Sequence, residues 1–467
     1  MPRSFEPIEV PGALHRGAQS DMKGDMRGNM QANNQADNQA DTQADPQAES
    51  GGGGVAAPPS GAWKAFNGPK ASGPLAGMLS LDDFEAAAQA VLPRPIFGYV
   101  AGAAEDNQSR SDNRQAFAEW GLVPRVLRNV ARRSQAVSLW GQPFSSPFGI
   151  APMGLAALSA FEGDLVMARA AQAAGLPYVL SGSSLTPLEE VMAAAPDSWF
   201  QAYLPGDPAR IDALIRRVQA AAVKTLVITV DIPVAGNREN NLRAGFSTPL
   251  RPSLRLAIDG LMRPRWLLGT MLRTLATRGM PHFENSFAER GAPILSQRVQ
   301  RDFAQRDHFD WSHIEHIRQQ WRGRLVIKGL LHPLDAEQAR RVGADGVILS
   351  NHGGRQLDGA VSALRMLAQV VAAAGTMVVM MDGGVRRGSD VIKALALGAQ
   401  LVWVGRPFNF AAAVAGQAGV AHAITLLQDE VDRNLALLGV NGCDELGPHH
   451  LLAWRHGALP KALAPVC

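Results

Sequence analysis

The sequence predicts a parallel (β/α)8 barrel (TIM barrel), preceded by a helical segment and a disordered N-terminal tail and interrupted by a long insertion after the fourth strand. Three observations carry this expectation. Eight short apolar runs recur from Phe148 onward: "FGIAPMG", "YVLSGS", "WFQAY", "TLVITVD", "RLVIKG", "GVILSNHGG", "VVMMDGG" and "LVWVGRP". They are continuously apolar rather than alternating, as parallel strands covered on both faces are. Most lie about 20 to 30 residues apart with Ala/Leu-rich stretches between them, the period of one strand plus one helix.

Taken in chain order, residues 1–78 stand apart. "QANNQADNQADTQADPQAES" repeats Gln-Ala every four residues and gives way to "GGGG" and a Pro/Gly/Ala-rich stretch. A polar repeat with so few large apolar side chains cannot offset its conformational entropy by burial, so it reads as a disordered tail. The folded domain then covers residues 79–467. Its first helix lies in "SLDDFEAAAQAVLPRP", where Ser80 and Asp83 have the spacing of a helix start and Pro93 with Pro95 stop the helix. The strand and helix units follow. The one break in their spacing, between "TLVITVD" and "RLVIKG", is an excursion over about 236–322, and segments of that length in compact domains are usually lids, binding loops or mobile.

Bulk composition excludes several classes. The 467 residues suffice for one large α/β domain. With 45 Lys and Arg against 42 Asp and Glu, the formal net charge is +3, which does not point to nucleic acid. Cys443 and Cys467 are the only two cysteines; they fit a reducing compartment and have no zinc-type spacing, so no metal is expected. The N-terminus "MPRSFEPIEV" lacks a signal peptide's apolar core. No uncharged apolar run of about 18 residues is expected to span a bilayer. The expectation is a cytoplasmic protein, with peripheral contact at the inner face of the cell membrane left open.

In a barrel of this kind the active site lies where the strands end. Those ends carry Ser181, Gln201, Tyr203, Thr229, Asp231, Lys328, His352, Arg355, Asp382 and Arg406. A lone histidine at a strand end is more often structural than catalytic, but His352 has Arg355 three residues on and Asp231 closing the fourth run. These are the parts for a base, a carboxylate that orients it, and a guanidinium that grips an anion. Arg238, in "GNRENN", is a candidate second clamp. "MDGGVRRGSD" and "VGRP" close the seventh and eighth runs, where barrels of this class hold a phosphate with backbone N–H groups and an arginine.

"SNHGGRQLD" resembles the active-site signature of the FMN-dependent 2-hydroxy-acid dehydrogenases and oxidases. The resemblance runs from about residue 80 to the C-terminus and includes "LPRPIFGYVAGAAEDN", "IAPMGL", "WFQAY", "ITVD", "IKG" and "DGGVRRGSDVIKALALGA". It implies FMN as cofactor and His352 as the catalytic base, with Asp231 orienting its imidazole. Arg238 and Arg355 would bind the substrate carboxylate, and Tyr99 and Tyr203 would hydrogen-bond the substrate. Lys328 would lie by the flavin N1 and C2 carbonyl. Pro152, Met153 and Gly154, with Ser181, Gln201, Thr229 and Ser350, would hold the ring system. Asp382, Gly384, Arg386, Gly405 and Arg406 would hold the ribityl phosphate. The implied reaction oxidises a 2-hydroxy acid to the 2-oxo acid, and the family makes a homotetramer the expected assembly.

Other positions bear on substrate and acceptor. Ser183 stands where glycolate oxidases carry a bulky tryptophan, and Val234 with Ala235 keep the nearby loop small, so a larger substrate than glycolate is expected. Similarity is shared between mandelate and lactate dehydrogenases, which leaves the acid open. Residues 251–278 carry Arg251, Arg255, Arg263, Arg265, Arg273 and Arg278 against Asp259, interleaved with leucines, Met262, Trp266 and Met271. Such a segment can dock in an anionic membrane interface and bring the flavin to a quinone; the rival reading is a basic lid with its arginines in solvent. A soluble oxidase making hydrogen peroxide, a redox-neutral flavin isomerase and a non-catalytic hydroxy-acid sensor are the alternatives, the last disfavoured because a sensor has no need of a general base.

Overall fold

The computed structural model describes residues 73–247, 249–251, 254–298 and 306–454. The predicted tail lies outside the described residues except for its last few, which include a single 3-10 turn at Gly73–Leu75. All eight predicted runs form strands: β1 (Phe148–Ile150), β2 (Val179–Ser181), β3 (Trp199–Ala202), β4 (Thr225–Thr229), β5 (Arg324–Leu330), β6 (Gly346–Leu349), β7 (Val378–Asp382) and β8 (Leu401–Val404). They pair in parallel in the order β1-β8-β7-β6-β5-β4-β3-β2. A parallel bridge between Ile150 and Tyr178 closes the ring. The chain is therefore a (β/α)8 barrel.

The continuous apolarity of the strands is explained by two cores. Trp199, Val227, Val326, Ile348, Met380 and Trp403 point inward and fill the barrel, while their neighbours Phe200, Leu226, Ile228, Leu325, Ile327, Val347 and Leu349 pack outward against the helices. An antiparallel hairpin, Val137–Leu139 with Gln142–Phe144, closes the bottom of the barrel. Its Leu139 and Phe144 join the interior cluster, and Trp140 reaches Trp199, which in turn meets Trp403 edge-on at 4.9 Å. With that end plugged by side chains, the C-terminal ends of the strands are left for a site.

Helices Asp83–Val91, Arg94–Ala101 and Gln108–Ala118 precede the barrel. Ser80 donates its N–H and hydroxyl to the Asp83 carboxylate (2.7 and 3.0 Å), as the spacing predicted. Pro93 and Pro95 end the first helix but also begin the second, whose first turn contains Pro95. The expectation that no long apolar run exists needs correction. Helix Arg406–Leu438 is long and apolar enough to cross a membrane, yet most of its apolar window is buried and the helix breaks at Ala415 and Gly416. It is core packing beside the barrel.

The excursion holds helix Glu239–Ala244, helix Leu254–Leu261, and a helix that runs from Pro264 to Arg278 through a π-helical stretch at Leu267–Leu272. Trp266 is its anchor: the ring is buried and its Nε1 donates to the Leu158 carbonyl at 2.7 Å. Four of the arginines expected to face outward are tied back instead. Arg263 donates to the Leu92 carbonyl and Arg265 to that of Val414, Arg273 stacks on Phe161, and Arg278 pairs with Glu162 and Glu190. Large apolar side chains share the exposed surface with these arginines: Leu254 is 78 %, Leu261 68 %, Met262 69 % and Leu268 64 % exposed, joined by Ile258, Leu272, Leu275 and Met280. Helix Trp311–Gln320, capped by Asp310, returns the chain to β5.

Candidate active site

The loop after β6, Ser350 to Gly359, turns back over the barrel mouth through three successive left-handed residues: His352 at φ +57°, Gly353 at +64° and Gly354 at +76°. A non-glycine residue there costs on the order of 1–3 kcal/mol unless its surroundings hold it. Here they do. The Ser350 hydroxyl accepts the His352 N–H at 2.9 Å. The side chains of Asn351 and Asn113 exchange amide hydrogen bonds at 2.7 and 3.0 Å. Asp358 accepts the backbone N–H groups of Asp106, Gln108 and Ser109, and Gly354 accepts that of Ala104. The N-terminal helical segment therefore clamps the loop.

So held, His352 aims Nδ1 at Asp231, 3.0 and 3.3 Å from its two carboxylate oxygens. With that N–H donated, Nε2 is the basic nitrogen. Burial pushes the imidazole pKa below its ordinary 6.5, against the pull of Asp231, so the neutral base prevails at neutral pH. Burial alone would raise the Asp231 carboxyl; His352 and Lys328 hold it below its ordinary value. The Tyr203 ring lies 6.3 Å from the imidazole, and burial, with Asp231 nearby, keeps its phenol protonated.

Two guanidiniums stand beside this pair. Arg355 donates through Nη1 to the carbonyls of Tyr99 and Gly102, both at 2.7 Å, and lies over the Tyr99 ring. Arg238 donates to the Arg355 carbonyl (3.1 Å) and to the Gln356 side chain (2.6 Å), which itself donates to the carbonyls of Asp231 and Val234. Among the described residues neither is in an ion pair with a carboxylate. Burial and the neighbouring Arg238 push the Arg355 pKa down to about 10, the signature of a desolvated cation suited to an anion.

Lys328 reaches the site through a bulge. The register shifts between Lys328 and Leu330, and Gly329 sits at φ +107° where a Cβ would lie 2.7 Å from that of Asp231. Its Nζ binds Asp382 at 2.7 Å and the Ser350 hydroxyl at 2.8 Å. Burial opposes the charge, but Asp382 and Asp231 hold the ammonium pKa above its ordinary value.

These groups gather around one cavity of about 590 Å³ at the C-terminal ends of the strands. Of the residues expected from the sequence, Tyr99, Pro152, Met153, Gly154, Tyr203, Thr229, Arg238, Lys328, His352, Arg355, Asp382, Gly384, Arg386, Gly405 and Arg406 form its wall, as do Ser183, Val234 and Ala235. Ser181, Gln201, Ser350 and Asp231 stand behind it: Ser181 donates to Gln201, and Ser350 positions both Lys328 and His352. Arg406 donates through Nε and Nη2 to the carbonyls of Val100, Gly102 and Gly353, so much of its fork braces the loop. Sequence reasoning missed Gln356, Asn113, Asn351, Phe283 and Arg306. Gln356 and Asn351 lay within the quoted motif; Arg306 and Phe283 come from the excursion, where no periodicity marks them.

Four buried polar atoms at this end of the barrel have no hydrogen-bond partner among the described residues: Gln201 Nε2, Thr229 Oγ1, Asp382 Oδ1 and Asn409 Oδ1. Such atoms are costly unless a ligand meets them. Gly154, Gly383, Gly384 and Gly405 line the cavity, and Gly384 also lets the helix Gln108–Ala118 pack close, a Cβ there falling 1.9 Å from the Asn113 carbonyl oxygen. Residues 88–453 match the model of the FMN-dependent dehydrogenase family. The chain belongs to that family. FMN is its cofactor, and the orphaned donors and acceptors with the glycine-lined cradle fit a flavin and its ribityl chain. This FMN-dependent dehydrogenase is 37 % identical to (S)-mandelate dehydrogenase of Pseudomonas putida over 80 % of this chain and 94 % of the relative. It is 39 % identical to L-lactate dehydrogenase of Azorhizobium caulinodans over 79 % and 96 %. A crystal structure of the monotopic membrane protein (S)-mandelate dehydrogenase superposes with a TM-score of 0.74 at 36 % identity, covering 81 % of this chain and all of the other. The resemblance to FMN-dependent 2-hydroxy-acid dehydrogenases is borne out, and with it the class of enzyme.

Proposed function

We propose that this dehydrogenase oxidises an L-2-hydroxy acid of the lactate or mandelate kind to the 2-oxo acid, with His352 as base. The observation that carries the reading is the His352–Asp231 pair set beside two half-buried guanidiniums that line the same cavity as His352. Arg355 and Arg238 bind the substrate carboxylate and hold C2 in a reactive orientation. Tyr99 and Tyr203 donate to the substrate oxygens. His352 Nε2 takes up a substrate proton, and Asp231 stabilises the imidazolium that results. Lys328 supplies a fixed positive charge at the inner end of the cavity. Bound FMN supplies the two-electron acceptor chemistry. The test is His352→Ala: the variant keeps bound flavin but loses anaerobic bleaching of its absorbance by substrate, and normal reduction kinetics would sink the assignment.

For the acceptor, the exposed apolar side chains of residues 254–280 support docking in a membrane interface and electron delivery to a quinone. Eight exposed large apolar side chains on one excursion exceed the scattered apolar exposure of an ordinary surface. The likeness to a monotopic membrane protein favours the same reading. Replacing Leu254, Ile258 and Leu268 together by serine is expected to release the enzyme from vesicles while leaving flavin reduction intact; unchanged vesicle binding would remove the support.

A further inference from the structure

Arg306, a described residue in the wall of the cavity, has no role in the chemistry above. Arg306 opens the 3-10 turn Arg306–His308 at the end of the excursion. That turn packs against the loop after β3, where a Cβ on Gly206 would lie 2.6 Å from the His308 Cβ. It sets the Arg306 guanidinium carbon 4.7 Å from the centroid of the Tyr203 ring and in the wall of the cavity. Burial, with repulsion from Arg238, pushes its pKa down to about 10. The arrangement repeats one already described: Arg355 lies 5.0 Å over the ring of Tyr99. Two tyrosine–arginine pairs thus face one cavity.

One carboxylate is fully served by Arg355 and Arg238, since two guanidiniums already offer more donors than its oxygens accept. The same cavity is lined by Ile232, Pro233, Val234 and Phe283, with only Ser183 opposite Gly154. We propose that Arg306 reads the far end of the substrate, and that the enzyme accepts a 2-hydroxy acid whose side chain ends in a second carboxylate. The inference rests on the 2-hydroxy-acid reading of the site. The apolar wall would hold the intervening carbons, and a half-buried guanidinium beside the buried Phe283 would attract an anion more strongly than one in open solvent. An alkyl or aryl end would gain much less from the same cation.

The test uses holoenzyme. Wild type, Arg306→Gln and Arg306→Lys are mixed anaerobically with L-2-hydroxysuccinate, L-2-hydroxyglutarate, L-lactate and L-mandelate, and flavin bleaching is followed. The expectation is that a dicarboxylate reduces wild-type flavin at least as efficiently as lactate. Arg306→Gln should lower that efficiency about 10- to 100-fold, the loss of a charge-assisted hydrogen bond, with lactate and mandelate nearly unchanged and Arg306→Lys partly restoring the dicarboxylate. Reduction by a monocarboxylic acid but neither dicarboxylate, or an equal loss for every acid in Arg306→Gln, overturns the inference and leaves the 2-hydroxy-acid reading standing. Bleaching by none of the acids overturns both. If Arg306→Gln loses its flavin, wild type decides: a saturated dicarboxylate perturbing the flavin spectrum with a lower Kd than the monocarboxylate of equal length supports the inference, and an equal or higher Kd overturns it.

Discussion

Replacing Asp231 by asparagine removes one charge and changes little else in shape, so it isolates what that carboxylate does for His352. In the structure the contact is close, 3.0 Å from Nδ1 to Oδ1, and both side chains are largely shielded from water. Loss of a buried, hydrogen-bonded counter-charge of this kind costs about 2–4 kcal/mol in stabilisation of the imidazolium. At about 1.4 kcal/mol per tenfold, the rate of anaerobic flavin reduction should fall roughly 30- to 1000-fold. A second sign accompanies the first. Asp231 pulls the His352 pKa upward against burial, so its removal should move the acid limb of the pH–rate profile further below 6.5. The assay is stopped-flow bleaching of bound flavin between pH 4.5 and 8. An unchanged plateau, or an acid limb displaced upward, would refute the coupling of Asp231 to His352.

Other perturbations follow from the same geometry. Lys328→Met leaves Asp382 as a buried charge without its 2.7 Å partner; a loss of about 3–5 kcal/mol should appear as a lower Tm and reduced flavin content. Gly384→Ala places a Cβ 1.9 Å from a backbone oxygen at φ +82°, whereas Gly141→Ala at φ +81° meets nothing within 4 Å. The first should lose flavin and unfold more easily; the second should cost only about 1 kcal/mol in thermal or denaturant unfolding. Asp164 is buried among Tyr178 and Thr186, and burial raises its carboxyl from 3.8 to about 6. A raised carboxyl pKa favours folding at low pH and loses that contribution as pH rises through about 6. Asp164→Asn should therefore flatten the fall in Tm between about pH 4 and 6; an unaltered slope would assign the pH dependence elsewhere.

What the chain alone determined is the set of strand-end residues and the barrel that collects them. Continuous apolarity in eight runs demands strands covered on both faces, and closing them brings their C-terminal residues to one mouth. That is why Asp231, Lys328, His352 and Asp382, on four different strand ends, were legible as one site. The clamp on the His352 loop was not legible in the same way: Asp358 meets backbone N–H groups about 250 residues earlier, and backbone groups carry no sequence signal. Nor was the excursion. Its arginines read as cations turned to anionic headgroups or to solvent, yet Arg263, Arg273 and Arg278 found a carbonyl, a ring and two carboxylates on the rest of the protein. The leucines beside them stay exposed all the same. Arg306 entered the cavity for a like reason, since where an excursion re-enters a fold is decided by which surfaces it can pack against, and only the assembled tertiary structure presents those surfaces.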